Sequence, residues 1–240
     1  MRPPSLNKLS PLPILGALLV ACAANAQLPP SSCSSDGQPR PVALFERFIN
    51  ADCETCWSDP QTPKAQKGEV ELDWIVPGAR GEDAPLAVAA SRDALSRLGA
   101  LNRQRPLKSS EARAKALPGK PRLRVAQGLA MGGYMGASIE LKPGTGGPWS
   151  AWLVLVETIP AGVEGTPVER NLVRNVLEMA WNESPVLSKA EHRRFLESRP
   201  ISIPEGANPS RLGVVGWVED SQGRIRAIAQ SRCSAKPAKE

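Results

Sequence analysis

Two cysteines separated by two residues, Cys53 and Cys56, carry the clearest potential for chemistry in this sequence. They directly follow the apolar segment 41–50, and the amides and positive dipole end of a helix begun there would lower the pKa of a thiol. In a redox pair placed in this way, Cys53 attacks a substrate disulfide and Cys56 resolves the mixed disulfide. The structural alternative is an inert disulfide that closes a small loop.

Neighbouring residues favour the structural alternative. Asp52 and Glu54 are carboxylates, and a nearby negative charge disfavours a thiolate. Pro60 and Pro63 interrupt a helix that begins at Cys53, which weakens the contribution of the helix dipole. Both hypotheses stay open on the residues alone.

The N-terminus is typical of an export signal. Arg2 and Lys8 give a basic start, and residues 24–26, Ala-Asn-Ala, form a small-residue cleavage site. The apolar segment 12–21 between them is shorter than the roughly 20 residues that a transmembrane helix needs. The sequence predicts a signal peptide over 1–26 and an exported, periplasmic mature chain without a transmembrane segment.

A lipoprotein signal overlaps this cleavage site. Residues 19–22, Leu-Val-Ala-Cys, are similar to a lipoprotein box in which Cys22 is acylated. Cleavage before Gln27 is favoured, because a signal rich in Leu and Ala readily imitates such a box. A lipid anchor at Cys22 is the alternative.

The cysteine count predicts disulfide bonds. Once Cys22 is set aside, four cysteines remain, and an even number in an oxidising, exported setting argues for pairing. Spacing favours Cys53 with Cys56, which leaves Cys33 to pair with Cys233. This second bond closes nearly the whole mature chain into one loop, worth ~3–5 kcal/mol in the chain-entropy model. The alternative is that Cys33 stays free or pairs between molecules.

Composition and charge exclude few classes of function. The 240 residues include 30 Lys and Arg against 24 Asp and Glu, so the chain is weakly basic. Because no basic cluster is interleaved with aromatic residues, nucleic-acid binding has little support. Segments 27–40 and 234–240 have little to bury and are expected to be a loose arm and a disordered tail.

Residues 41–118 predict the first half of an α/β unit. Segment 41–50 predicts a strand buried on both faces, and segment 69–77 predicts a second strand. Segment 84–101 has an apolar stripe at helical spacing and predicts an amphipathic helix with Asp83 as its cap. A strand, a cysteine pair, a strand and a helix in this order are typical of α/β folds.

Residues 119–233 predict an antiparallel sheet with one or two helices. A capping box at 166–169, followed by apolar residues at helical spacing as far as Ala180, predicts a helix. A second box predicts a short polar helix from 188 to about 200. The predicted strands, separated by glycine-rich turns, are 122–128, 136–142, 150–158, 211–220 and 223–230.

Three stretches carry a resemblance to a known family: VALFERFINADCETC (42–56), VETIPAGVEGTPVERNLVRNVLEMAW (156–181) and RLGVVGWVEDSQGRIRAIA (211–229). They are similar to the opening strand and cysteine pair, the late strand, loop and helix, and the closing hairpin of the domain of unknown function 1223 family. Its members are exported bacterial proteins with a thioredoxin-like fold. The resemblance implies a mixed α/β fold, with a thioredoxin-like core in 41–118 and an added antiparallel β-sheet. It implies no particular physiological activity, because the family itself does not define one.

The resemblance also implies a role for Pro106. The family has a Tyr-Thr-Pro-Gln segment whose proline resembles the cis-proline facing a thioredoxin active site, and the nearest counterpart here is Pro106 in segment 103–117. The implied catalytic site then consists of Cys53, Cys56 and Pro106, with Pro106 shaping the substrate groove.

No cofactor and no metal site is predicted. A zinc site needs two ligands beyond the cysteine pair, and only Cys33, Cys233 and His192 remain, far apart in the sequence. The glycine-rich segment 131–136 predicts a hairpin loop rather than a phosphate cradle, because no strand-to-helix pattern surrounds it.

Two hypotheses of function follow. In the first, the protein is a thiol–disulfide oxidoreductase that acts on exported thiol or disulfide proteins through Cys53 and Cys56. In the second, it is a non-catalytic periplasmic or outer-membrane-associated module, and the cysteine pair is a structural disulfide.

Overall fold

The computed structural model describes residues 33–142, 147–182 and 194–233, of which 51% lie in strands and 12% in helices. Within these ranges there are two α-helices, α1 (Glu54–Trp57) and α2 (Arg92–Ala100), and three short 3-10 helices. The strands are β1 (Cys33–Ser34), β2 (Ala43–Asn50), β3 (Glu69–Val76), β4 (Ser109–Lys115), β5 (Arg122–Met131), β6 (Tyr134–Lys142), β7 (Trp149–Ile159), β8 (Arg170–Trp181), β9 (Phe195–Ser202), β10 (Leu212–Glu219), β11 (Ile225–Gln230) and β12 (Arg232–Cys233).

The strands form two sheets. The five-stranded sheet has the order β12-β1-β5-β6-β9, and the seven-stranded sheet has the order β11-β10-β7-β8-β3-β2-β4. In the larger sheet β2 runs parallel to β3 along its whole length, and β3 meets β8 in parallel, whereas the other pairs are antiparallel. Strands from 41–118 and from 119–233 share this sheet, and the described residues lie within one compact unit, Ser31–Glu240.

The predicted mixed α/β fold with a thioredoxin-like core is wrong. Such a core needs helices packed on both faces of its sheet, whereas here one face of the larger sheet is covered by the five-stranded sheet. Val125 and Ile139 of the smaller sheet share a buried cluster with Leu153, Leu155 and Val214 of the larger one. The protein is therefore mostly β.

The helix predicted from the capping box at 166–169 is also wrong, because this segment leads into β8. β8 pairs antiparallel with β7 from the Trp149–Trp181 pair onwards, so that strand pairing overrides the helical spacing of the apolar residues. The hydroxyl of Thr166 donates to the carbonyl of Val168 at 2.8 Å instead of capping a helix.

Two other helix predictions need correction. Only Arg92–Ala100 of the predicted helix 84–101 is α-helical, and its cap is Ser91 rather than Asp83, because Ser91 Oγ accepts a hydrogen bond from the amide of Asp93 at 3.0 Å. The polar helix predicted from 188 to about 200 does not extend past 195, where β9 begins. Its first residues lie outside the described part of the chain.

The remaining strand predictions agree with the structure. The predicted strands 41–50 and 69–77 are β2 and β3, and the five strands predicted after residue 119 correspond to β5, β6, β7, β10 and β11. Strand β4 was not predicted from the sequence. The predicted signal peptide 1–26, Cys22, His192 and the predicted tail 234–240 lie outside the described residues.

The core occupies both faces of the seven-stranded sheet. Trp152 and Val154 of β7 belong to a cluster that α2 covers with Ala94 and Leu98, and Leu153 points to the opposite cluster between the sheets. This alternation gives both faces of β7 an apolar surface, which is typical of a strand at the centre of a layered structure.

A buried ion group lies under α2. The guanidinium of Arg97 binds Glu46 at 2.8 Å and Glu219 at 2.7 Å, and it lies over the stacked rings of Trp152 and Trp217. Burial opposes the charge on Arg97, but the two carboxylates outweigh it and raise its pKa above the ordinary value. The group links β2, α2 and β10 through charge-assisted hydrogen bonds.

Candidate functional site

The structure contains both disulfide bonds expected from the sequence, Cys53–Cys56 and Cys33–Cys233. Cys33 and Cys233 lie opposite each other on β1 and β12, at the edge of the five-stranded sheet. The other pair lies at the end of β2 in the larger sheet. The two bonds are therefore separate features of the fold.

A short turn positions the Cys53–Cys56 pair. The carbonyl of Asn50, the last residue of β2, accepts from the amide of Cys53 at 2.9 Å, and the Asn50 side chain accepts from the amide of Asp52 at 2.9 Å. Cys53 is the N-cap residue of α1. Because α1 is a single turn, its dipole is small, and the activation of Cys53 by a helix dipole is weak, as the prolines after the pair indicate.

The two sulfur-bearing residues differ in exposure. Cys53 is 8% exposed, whereas Cys56 is half-buried and lines an open cavity of about 370 Å³. Thr55 and residues 108–111 line the same cavity. A thiolate that enters this cavity therefore meets Cys56 rather than Cys53.

Arg170 anchors the turn from beneath. Its Nη2 donates to the carbonyl of Trp57 at 2.7 Å and to the carbonyl of Cys56 at 3.2 Å, and its guanidinium lies over the Trp57 ring. Burial lowers the pKa of Arg170, and the ion pair with Asp73 at 3.4 Å only partly offsets this. The side chain of Arg170 also lines the cavity.

Asp73 joins this anchor to a second buried arginine. Arg47 donates to Asp73 through Nε at 2.7 Å and Nη2 at 2.8 Å, and it also pairs with Glu71. Burial raises the pKa of Glu71, and the ion pair with Arg47 acts in the opposite direction without outweighing it. The cavity beside Cys56 is thus backed by two guanidinium groups that share one fully buried carboxylate.

The carboxylate of Asp52 is directed away from this chemistry. It accepts hydrogen bonds from the amides of Ala79 at 2.7 Å and Arg80 at 3.3 Å, in the loop after β3. A Cβ on Gly78 would lie 2.2 Å from Asp52 Oδ1, so this loop can approach only because residue 78 is glycine. The sequence analysis took Asp52 and Glu54 as carboxylates that disfavour a thiolate on the neighbouring cysteines. In the structure the Asp52 carboxylate is hydrogen-bonded to backbone amides, and Glu54 is exposed to solvent.

The Pro106 segment lies next to the turn, but Pro106 itself does not line the cavity beside Cys56. The carbonyl of Pro106 accepts from Asn50 Nδ2 at 3.0 Å, and the cavity wall is formed by the residues that follow it, Lys108 to Glu111. The only cis peptide bond in the described ranges is Gly147–Pro148, so the peptide before Pro106 is trans.

Sequence reasoning missed Arg47, Asp73 and Arg170 as parts of the site. A signal was present for Arg47 and Asp73, because each is a charged residue in a predicted strand with large apolar residues on both sides of it. Buried charges must be paired, so such residues indicate an ion network even before its partners are known.

The structure also bears on a metal site, on the glycine-rich segment and on membrane-spanning helices. In the described ranges there is no group of three or more His, Cys, Asp or Glu residues that could hold a metal ion. Segment 131–136 spans the two-residue turn 132–133 and the adjoining ends of β5 and β6. No helix in the same ranges has the length and apolar character to cross a membrane.

Comparison with protein-family models, with curated proteins and with solved structures finds no match to this chain. Its function must therefore be argued from the site itself.

Proposed function

We propose that this protein exchanges disulfide bonds with exported proteins through Cys53–Cys56, and that Cys56 is the residue that the partner's thiolate attacks. The observation that carries the proposal is the difference in exposure: Cys56 lines an open cavity, whereas Cys53 is buried behind it. Thiol–disulfide exchange depends on access to one sulfur and on the quality of the other as a leaving group. This order reverses the assignment of Cys53 as the attacking residue.

The reaction proceeds in two exchanges. The partner's thiolate attacks Cys56 Sγ, a new S–S bond forms, and the Cys53–Cys56 bond breaks with its electron pair on Cys53 Sγ, which takes up a proton from solvent. A second thiolate of the partner then attacks the partner's own sulfur in the mixed disulfide and releases Cys56 as a thiolate. The partner loses two electrons and the Cys53–Cys56 pair gains them; the reverse sequence reduces a partner disulfide.

Charges around the cavity are balanced. Arg47, Arg170 and Lys108 line it together with the carboxylates Asp59 and Glu111. Arg47 and Arg170 are both paired with the buried Asp73, and Arg47 is also paired with Glu71. The proposal therefore depends on access to Cys56 and not on a positive field at its sulfur.

The export signal supplies the cellular setting for this proposal. The basic start, the apolar run and the small-residue site before Gln27 support transport into an oxidising compartment, where exported partners carry thiols and disulfides. Direction of electron transfer then follows from the reduction potentials of the pair and its partner.

The decisive experiment measures the reduction potential of the Cys53–Cys56 pair. The protein is equilibrated with glutathione or dithiothreitol, and the oxidised fraction of each disulfide is determined by mass spectrometry. Exchange-active pairs have potentials between about −270 and −120 mV, whereas structural disulfides lie below about −300 mV. We expect a value in the first range. A value in the second range, or a pair that stays oxidised until the protein unfolds, overturns the proposal.

A matched pair of variants tests which cysteine is attacked. In Cys53→Ser the remaining Cys56 thiol should form a mixed disulfide with oxidised glutathione, while Cys56→Ser leaves only the buried Cys53 and should react at least about tenfold more slowly. Equal rates, or a faster Cys56→Ser, would return the attacked position to Cys53.

A second candidate function is favoured by the contacts of Arg170. Because its guanidinium holds the carbonyls of both Cys56 and Trp57, the turn is tied to the core, as expected of a structural disulfide in a non-catalytic periplasmic or outer-membrane-associated module. The low-potential outcome above selects this candidate.

A further inference from the structure

An open cavity of about 390 Å³ beside the five-stranded sheet carries an excess of positive charge. It is bounded by the loop after β1, the start of β5 and the end of β6, and it shares no lining residue with the cavity beside Cys56. Its charged lining residues are Arg40, Arg122, Arg124, Lys142, Asp36 and Glu140. The lining thus contains four cations and two carboxylates, in a volume that is typical of small-molecule sites.

The register of β5 with β6 brings two of these cations together. Arg122 lies directly opposite Lys142, and Arg124 lies opposite Glu140. Leu123 packs on the core between the sheets, so Arg122 and Arg124 project from the other face of β5. Like charges that lie directly opposite each other destabilise a sheet, so the pair of Arg122 and Lys142 has a cost that a bound anion would remove.

Ion pairs neutralise only part of this charge. Arg124 binds Asp36 in a bidentate manner, with Nε 2.9 Å from one carboxylate oxygen and Nη2 2.6 Å from the other. This pair holds the loop after β1 against β5. Glu140 is shared between two cations, because Lys142 Nζ lies 2.9 Å and Arg194 Nη1 lies 3.3 Å from the same oxygen.

The remaining arginines of the cavity have no carboxylate partner. Among the described residues, none forms an ion pair with Arg40 or Arg122. When Arg194 is counted with the lining, five cations share two carboxylates, which leaves three positive charges in excess. A single carboxylate ligand would offset one of these charges, whereas a phosphate monoester carries nearly two negative charges at pH 7 and a diphosphate carries more.

We propose that this cavity binds a compact phosphorylated ligand, whose phosphate oxygens contact Arg40 and Arg122 and lie beside Lys142. The guanidinium group presents its N–H donors in a planar fork that matches the geometry of phosphate oxygens. No described residue of the lining is aromatic, so the stacking platform that single-stranded nucleic acids use is missing from it. The proposal is independent of the chemistry of Cys53 and Cys56.

The test uses the oxidised mature protein and inorganic pyrophosphate as the probe, with binding measured by calorimetry at constant ionic strength. We expect Arg40→Gln/Arg122→Gln to weaken binding at least about tenfold, because two charge-assisted contacts to the anion are lost. The matched control is Arg92→Gln, which removes an exposed arginine at the start of α2 and should leave the affinity unchanged.

Thermal unfolding gives a second measurement. At low salt and without the probe, Arg122→Gln should not lower the melting temperature, because it removes the repulsion from Lys142. Pyrophosphate should then raise the melting temperature of the unchanged protein and of Arg92→Gln, but not that of the double variant. A marked loss of stability in Arg122→Gln without the probe would contradict the proposal, since it would show that Arg122 already has a stabilising partner.

Two further probes identify the source of the phosphate. Binding of glycerol phosphate indicates a free phosphorylated solute, and binding only to vesicles that contain phosphatidic acid indicates a lipid headgroup; both support the phosphate site. Three results overturn it: no binding of pyrophosphate at millimolar concentration, equal affinities of the double variant and Arg92→Gln, or tighter binding of a single-stranded oligonucleotide through the same arginines. The last result identifies a nucleic acid as the ligand.

Discussion

The guanidinium of Arg170 lies 2.7 Å from the carbonyl of Trp57, and this hydrogen bond joins the disulfide-bearing turn after β2 to the start of β8. The same guanidinium contacts Asp73, which also binds Arg47. One arginine therefore serves both the buried ion network and the backbone of the candidate site. Any change in this network is expected to alter the turn that carries Cys56.

Replacement of Arg170 by Met should destabilise the protein strongly. The variant removes the Arg170 donor from the buried carbonyl of Trp57 and the part-buried carbonyl of Cys56, and it removes one cation from the network around Asp73, so the free energy of unfolding should fall by about 2–4 kcal/mol. Urea unfolding measures this loss. Arg199→Met is the control, because Arg199 is an exposed strand residue whose pair with Glu197 should contribute less than about 1 kcal/mol. Similar losses in the two variants would contradict the anchoring role.

The two disulfides should differ in their contribution to stability. Cys33–Cys233 spans 200 residues and Cys53–Cys56 spans three, so the chain-entropy model gives about 5 kcal/mol for the first and about 1.5 kcal/mol for the second. We therefore expect Cys33→Ala/Cys233→Ala to lower the free energy of unfolding about threefold more than Cys53→Ala/Cys56→Ala. Chemical unfolding without reductant compares them, and an equal or reversed order would show that the local pair has a larger structural role.

How far the sequence predicts the fold depends on which interactions decide each segment. β2 and β3 were predictable, because segments 41–50 and 69–77 are apolar enough to identify buried strands without knowledge of their partners. Segment 166–181 was not, because its apolar residues fit a helix and only the pairing of β8 with β7 selects the strand. The same non-local pairing replaces the predicted α/β arrangement with two sheets.

The candidate site was predictable in part for a similar reason. The spacing of the cysteines and the predicted export to an oxidising compartment identified both cysteine pairs. The exposure of Cys56 relative to Cys53, in contrast, depends on the cavity wall that residues 108–111 contribute. The contact of Arg170 with the turn joins residues that are 113 positions apart, so no local sequence pattern could predict it.

Packing between the sheets makes Gly216 intolerant of a side chain. A Cβ at this position would lie 2.8 Å from Val125 Cγ1 and 3.0 Å from Ile139 Cδ1, so Gly216→Ala should lower the free energy of unfolding by about 1–3 kcal/mol through overpacking. Gly99→Ala is the control, because no atom lies within 4 Å of its added Cβ and alanine favours the helix. Thermal unfolding should show a lower melting temperature for the first and an equal or higher one for the second. Equal shifts would indicate that the sheets can separate at little cost.

The turn between β10 and β11 should show a defined pH dependence through Asp220. Burial opposes its ionisation, but hydrogen bonds from the Arg224 side chain and from the amides of Arg224 and Gln222 outweigh it and lower the pKa of Asp220 to about 2. A depressed pKa in the folded state stabilises the protein above the ordinary value of 3.8, and this contribution is lost as the pH falls from there towards 2. After allowance for solvent screening at this turn, its size is about 1 kcal/mol.

Asp220→Asn should therefore lower the free energy of unfolding at pH 7 by about 1 kcal/mol and have a much smaller effect at pH 2, where about half of the wild-type carboxyls are protonated in the folded state. Urea unfolding of both proteins across this range measures the difference. Glu82→Gln, at an exposed residue of a 3-10 turn, provides the comparison and should give a difference that is close to zero at pH 7. A difference for Asp220→Asn that persists unchanged at pH 2 would show that the hydrogen bonds of the turn stabilise it through geometry and not through the charge of the carboxylate.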